Sequence, residues 1–466
     1  MARATIRGVT PLPLPATPPF TLRARLLTPT TEGGMRYEHD ALIVVDPIGR
    51  LAEIGPGAAS TAETVVDLRP LLVMPGLIDL HAHLPQLPNA GVGAGLHLLA
   101  WLERYIFPLE RDFDEEVAEQ LAPAAFRAFA KAGTTTVVAY GAIWQPSLDA
   151  CFRAAEAHGI RAVIGKVMMD RLSYDTRLEA NEVLELSLRQ SAELCERWDG
   201  RDEGRLRYAF TPRFAVSCSA EMLRESARLA ATTGAFWQTH LAEDRGEIEE
   251  VRRLFPEALD YTDVYDRAGG LSPRAILAHA IHLSDREIAR LVETKAVVAH
   301  CPASNLFLAS GAMPLARYLS AGVRVGLGSD VAAGPDTSLF GVMRAGAYTQ
   351  NAMHGMGLIA DEALPPAAWL RLGTLGGAEA LGLGDRIGSV EEGKEADLIV
   401  VDPSLTLPLP GVGAPVDDGP DEILSRLIHR SHPDMVGGAW VRGRLLPAAG
   451  RLAPPRAGTL PLDSIR

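Results

Sequence analysis

Two histidines two positions apart, His81 and His83 in LIDLHAH (77–83), are the first residues in this chain whose types and spacing suggest chemistry. The run around them is apolar and β-prone, so a strand is expected, and residues i and i+2 of a strand share a face. Both imidazoles then point the same way and can share a metal ion. An HxH pair alone is equally well explained by hydrogen-bonded core histidines. Further polar residues close later apolar runs: His240 after FWQT, His279 after AILA, His300 after AVVA and Asp330 after VGLGS. Buried His and Asp in apolar strands are costly unless paired or coordinated, so a common purpose is the stronger reading. Three neutral imidazoles and a carboxylate suit zinc or a similar first-row ion and leave a position open for water. Glu243, three residues after His240, falls where the strand turns into a loop. It can face that water as a proton shuttle, or open the solvated acidic run EDRGEIEE; spacing alone does not choose.

Other chemistries lack their residues. No GxSxG elbow is present, and HxE followed by PCxxC, the other zinc pattern for base deamination, is missing. Lys166, on the third apolar run, is expected to be structural or to support the site from outside.

The elements that must position these residues are eight β-type runs: 77–83, 134–140, 161–169, 205–214, 235–241, 275–280, 296–301 and 323–330, alternating with helical patterns. They occupy about 255 residues, close to the ~250 of an eight-stranded α/β barrel. A doubly wound open sheet is the rival, but no GxGxxG opens a helix after the first strand. Strand ends on one barrel face converge, which places the polar residues together. The long interval after the first strand includes HLLAWLERYIFPLERDF (97–113), and long loops at a barrel mouth carry binding function. Short antiparallel strands are expected in residues 21–72, and again at 395–403 and 435–447 around a Pro-rich stretch at 403–421. The expected division is a β-sandwich half at 1–72, a barrel at 73–383, and the second sandwich half with a tail at 384–466.

Composition limits the partners. Of 466 residues, 45 are Lys or Arg and 58 Asp or Glu, a net charge of −13 that argues against a phosphate-backbone or anionic-lipid grip. Hence no polymeric nucleic acid and no membrane are expected as partners. No apolar stretch reaches the ~20 residues of a membrane helix. Pro-punctuated residues 1–20 read as a disordered or draped lead-in, and four scattered cysteines fit a reducing, cytoplasmic setting.

PGLIDLHAH, the His240–Glu243 element, AHA (278–280), AHCPASN (299–305), GLGSD (326–330) and the trailing GDRIGSVEEGKEADLIVVD (384–402) resemble the amidohydrolase superfamily, in its mononuclear deaminase and chlorohydrolase branch. Within it, HAHLPQ (81–86), WLERYIFPLE (101–110), TPRFAVSCS (211–219) and YTDVYD (261–266) are most similar to the guanine deaminases. VAAGPDTSLF (331–340) departs from that pattern. The resemblance implies a (β/α)8 barrel with a β-sandwich built from both termini, and one Zn2+ per chain, or Fe2+ or Mn2+, on His81, His83, His240 and Asp330. It implies Glu243, His279 and Asp330 as catalytic groups, with Gln86, Trp101, Arg213, Phe214 and His279 around a small heterocyclic substrate. His300 is then a supporting residue and Cys301 packing. The implied reaction converts guanine and water to xanthine and ammonia, in a homodimer. Deamination of another purine, a pterin or a triazine, hydrolytic dehalogenation or cyclic-amide opening, and an inactive scaffold are the alternatives.

Overall fold

The computed structural model describes residues 14–57, 65–175, 177–360, 364–409 and 419–448. Strands β1 (Phe20–Pro29), β2 (Met35–Val45) and β3 (Leu51–Pro56) form an antiparallel meander. β4 (Val66–Pro75) then pairs with β1 in parallel. That departs from the antiparallel texture expected, because β4 crosses to the far side of β1 instead of lying beside β3.

The barrel follows: β5 (Leu77–His83), β6 (Thr134–Tyr140), β7 (Arg161–Gly165), β8 (Val167–Met168), β9 (Leu206–Pro212), β10 (Phe236–Leu241), β11 (Ala275–His279), β12 (Val297–His300) and β13 (Arg324–Leu327). All are parallel and neighbours follow chain order, so each crossover carries helices to the outside. The third stave is broken at Lys166, after which β8 continues along β9. The barrel closes through the chain beyond β13: Asp330 N–H donates to the His81 carbonyl at 2.7 Å and His83 N–H to the Val331 carbonyl at 2.9 Å. The fold is a (β/α)8 barrel.

Its lower interior is filled by Ile78, Leu80, Val163, Phe236, Ile276 and Val297, and plugged from below by Ala378, Leu381 and Ile387. Facing outward, Val137, Ala139, Ile164, Leu277 and Val298 pack on the helical layer. Helix boundaries follow local chemistry. The helix Glu115–Lys131 is capped by Asp114, whose carboxylate accepts Val117 N–H, and Ala220–Thr233 runs from a Ser219 cap to Gly234 at φ +72°.

β14 (Leu398–Val401), β15 (Val436–Val441) and β16 (Arg444–Leu445) return the chain to the first sheet, β14 pairing antiparallel with β4. The result is the sandwich-like unit built from both termini, with Leu22, Leu26, Ile43, Val73, Val400 and Trp440 in its core. Arg161 of β7 ties it to the barrel through Glu395 (2.6 Å) and Asp397 (3.0 Å), all three buried. The lead-in drapes over this sheet where it is described: Trp440 donates to the Pro15 carbonyl and Leu445 N–H to Ala16. Residues 1–13 of the lead-in, 410–418 of the Pro-rich stretch and the tail from 449 lie outside the described residues. Among the described residues, no helix is long and apolar enough to cross a membrane.

Candidate active site

A bulge in β5 aims the first two histidines. Ile78 and Leu80 face the barrel interior, and strict alternation would put residue 82 there. Between Asp79 and Ala82 the register against β6 slips by one residue. The phase inverts, Ala82 packs outward and His81 and His83 turn inward. Asp79 holds the bulge, accepting Ser329 Oγ (2.5 Å), Ser329 N–H (2.9 Å) and His81 N–H (3.1 Å); burial pushes its carboxyl up to about 7 against those bonds. Gly328 is needed beside it, since a Cβ there would fall 2.7 Å from His81 Cβ.

His81, His83, His240 and Asp330 each offer one ligand atom, all within 4.8 Å of one another, and all four are buried. His83 Nε2 lies 3.3 Å from both His81 Nε2 and His240 Nε2, while Asp330 Oδ1 lies 3.1 Å from His81 Nε2 and 3.3 Å from His83 Nε2. His240 Nδ1–H donates to the Arg213 carbonyl at 2.6 Å, which leaves its Nε2 lone pair facing the cluster. Burial, with the neighbouring imidazoles, holds His240 well below the usual histidine range and His83 at about 4. Neutral rings whose Nε2 lone pairs converge repel one another unless a cation lies between them. Three nitrogens and a carboxylate oxygen therefore fit a divalent ion with a position to spare.

His279 and Asp330 sit at strand ends with left-handed backbones, φ +70° and +48°. Alternation from Ile276 would turn His279 toward the helices; this conformation brings its ring over His240 instead, centroids 5.5 Å apart. Such residues are strained and persist only where the surroundings hold them. Asn305 Oδ1 accepts His279 Nδ1–H at 2.9 Å, and His279 Nε2 then faces Glu243 at 3.4 Å and Asp330 at 3.8 Å. Ser304 donates to Asp330 Oδ2 at 2.5 Å. Burial opposes ionisation of Asp330, but the imidazoles prevail and hold it well below the carboxylate range.

Glu243 is 2% exposed, which rules out the solvated reading. Burial and the nearby Asp330 raise its carboxyl far above the usual range, and Ser310 donates to it at 3.2 Å. Its loop is held by a capping box in which Asp244 caps the helix Arg245–Leu254 and Glu247 reaches back.

Around a narrow space above this cluster, about 20 Å³, stand Gln86, Trp101, Arg213 and Phe214, with Leu98, Leu102, Leu308 and Ala333. With His279, which also lines it, all five residues expected around a substrate border this space. Trp101 comes from the long segment after β5, which is not a loop but helix: Leu98–Trp101, a π-helical turn Leu102–Ile106, and Phe107–Arg111. Its indole donates to the Val92 carbonyl at 3.0 Å. His300 and Lys166 do not join the cluster. His300 shares the outward phase of Val298, and its buried ring nitrogens find no hydrogen-bond partner among the described residues. Burial keeps Lys166 near 7; it donates to Ser187 Oγ at 2.9 Å and lines a separate cleft of about 890 Å³ with Trp144 and Asp175. Cys301 is buried packing, its thiol 3.4 Å from the Ala299 carbonyl.

Sequence reasoning passed over Glu110, Asp79 and Tyr261. Glu110 is fully buried, accepts Gln86 Nε2 at 2.8 Å and pairs with Arg213 Nη1. Its signal is an acid closing the apolar-rich run WLERYIFPLE; for Asp79 it is the one acid inside the apolar run before HAH.

A model of the amidohydrolase family matches residues 72–446. The guanine deaminase of Escherichia coli (strain K12) is 40% identical over 380 residues, covering 80% of this chain and 83% of that protein. A crystal structure of guanine deaminase from C. acetobutylicum with guanine bound in its active site superposes with a TM-score of 0.84 at 29% identity, over 92% of this chain and 99% of the other. An adenosine deaminase from Xanthomonas campestris with bound zinc gives 0.78 at 26% identity, over 92% and 93%.

Proposed function

The chain belongs to the amidohydrolase family, and from that membership and its site we propose that it is a zinc-dependent guanine deaminase, converting guanine and water to xanthine and ammonia. The observation that carries the reading is one cavity holding both the three-histidine, one-carboxylate cluster and the residues Gln86, Trp101, Arg213 and Phe214. His81, His83, His240 and Asp330 hold one ion per chain; nitrogen and oxygen donors of this kind also take Fe2+ or Mn2+. When bound, a divalent ion supplies Lewis acidity that lowers the pKa of water toward neutrality.

The protein's own groups do the rest. Asp330 Oδ2, steadied by Ser304, takes a proton from the attacking water. Attack falls on the ring carbon bearing the amino group. Glu243, kept protonated by burial, gives its proton to the adjacent ring nitrogen, so the ring accepts the electron pair; the new hydroxyl reprotonates it, it passes that proton to the departing amine as the carbonyl forms, and the proton held by Asp330 restores the acid. His279, its Nδ1–H held by Asn305, orients both carboxyls and stabilises charge at the reacting centre. Arg213 and Gln86 meet the polar edge of the purine, while Phe214 and Trp101 meet its faces.

The same reading assigns catalysis to residues 73–383 and support to a sandwich of 1–72 and 384–466. It places the enzyme in purine breakdown, in the cytoplasm, as a homodimer. The test is metal analysis of purified protein with ammonia release from guanine, a pterin and a triazine. Near one zinc per chain and activity on guanine are expected; ammonia from a pterin or triazine but not guanine overturns the substrate.

A further inference from the structure

We propose that Glu110 is a positioning residue that fixes which atoms Gln86 and Arg213 offer the substrate, and so selects a cyclic-amide (lactam) edge over an amino-substituted one. This rests on the guanine deaminase reading and adds the origin of its selectivity. Glu110 sits in the helical turn Phe107–Arg111 and is fully buried, so its carboxylate oxygens need partners from the protein. Oε1 accepts Gln86 Nε2 at 2.8 Å and Oε2 pairs with Arg213 Nη1.

A carboxylate only accepts hydrogen bonds, which settles the orientation of the Gln86 amide: the NH2 faces Glu110 and the carbonyl is left for the cavity it lines. Arg213, held by one nitrogen and with the Phe107 ring 5.4 Å from its guanidinium carbon, retains further N–H donors. The pair therefore presents one acceptor beside donors. A lactam offers the complement, an N–H beside a carbonyl oxygen. A 6-aminopurine offers a bare ring nitrogen to the Gln86 carbonyl and an NH2 to the Arg213 donors, a mismatch at both places. Glu110 does not line the cavity, so its influence passes through the two side chains it holds.

Glu110→Gln tests this without changing side-chain size. Its amide can accept from Arg213 only with its carbonyl, and its NH2 then faces Gln86, which must turn over to accept. Gln86 now offers a donor to the cavity. The kinetics are read for guanine and for 2,6-diaminopurine, whose 2-amino group remains but whose lactam is gone, alongside metal content and melting temperature. Wild type is expected to favour guanine by more than about 1,000-fold in kcat/KM. The variant, with metal and melting temperature unchanged, should raise KM for guanine about 30-fold or more while kcat falls less, and shrink the preference by about 100-fold. A preference unchanged within threefold overturns the assignment. So does an equal loss on both substrates. Should the variant fail to fold, inhibition of wild type decides: hypoxanthine, which keeps the lactam edge, must inhibit at least about 30-fold more tightly than adenine, and equal inhibition overturns the proposal. Wild type inactive on guanine overturns the function and this inference together; wild type active on guanine with an indifferent variant overturns only the role of Glu110.

Discussion

Glu247 receives the backbone N–H of Glu243 at 2.8 Å, and through the same oxygen that of Asp244 at 3.2 Å. Tyr261 donates its hydroxyl to the other oxygen at 2.6 Å, and Tyr265 beside it donates to the His240 carbonyl at 2.7 Å. The two tyrosines of YTDVYD thus clamp the turn that carries both a candidate ligand and the candidate proton shuttle. Tyr261→Phe leaves Glu247 short of a partner and loosens that turn. A fall in kcat of about 10-fold with KM within twofold and metal retained is expected from steady-state kinetics.

Glu243→Gln keeps the shape of the side chain and removes its proton. Turnover of guanine should fall at least about 100-fold while the protein still holds its metal. Turnover within tenfold of wild type would show that the proton travels by another route.

Chelation should abolish activity and lower the melting temperature, because a cation bound only by the folded state stabilises it by mass action. At about 1,000 times its dissociation constant an ion contributes ~4 kcal/mol, enough for a fall of several degrees. Zinc should restore both properties. Asp330→Asn should bind zinc weakly and behave like the chelated protein; full activity after exhaustive chelation would refute the metal centre.

Acid should loosen the joint between barrel and sandwich. Burial opposes the charge on Glu395, but Arg161, Arg386 and Arg442 outweigh it and hold the carboxyl at about 2, below its ordinary 4.5. A folded-state value below the unfolded one contributes stability that is complete above about pH 5 and is lost as pH falls toward 2. The melting-temperature difference between wild type and Glu395→Gln should therefore be large at pH 7 and shrink steadily below pH 5. A constant difference would exclude this ion cluster as the cause.

Gly93 lies against Trp101. At φ +98°, a Cβ there would stand 2.6 Å from Trp101 Cδ1. Gly93→Ala should displace the indole and raise KM for guanine about 10-fold with little change in metal content. Tryptophan fluorescence that does not respond to ligand in the variant, but does in wild type, would confirm the displacement.

What the sequence reveals here is what periodicity and strand order control. His81 and His83 share a face because they are two apart, and His240 and Asp330 arrive because parallel staves all end at one rim. What it hides is set by distant chain or by departures from regular geometry. The bulge that turns His81 inward depends on Ser329, about 250 residues away, and His279 reaches the site only through a left-handed backbone. Glu243 reads equally as a proton shuttle or as the first residue of a solvated acidic run until the fold buries it. Glu110 is invisible because one partner, Gln86, stands at the far end of the same β5–β6 connection and the other, Arg213, follows β9 about 100 residues on, and helix Leu98–Arg111 is obscured by a π-helical turn that breaks the 3.6 period.

The antiparallel seam between β4 and β14 also bears on how the polypeptide is made. β4 emerges from the ribosome with one edge bare, and the strand that covers it, Leu398–Val401, is translated roughly 320 residues later, after every stave of the barrel. The nascent chain must keep that edge from aggregating in the meantime, and truncation from the C-terminal side exposes it permanently.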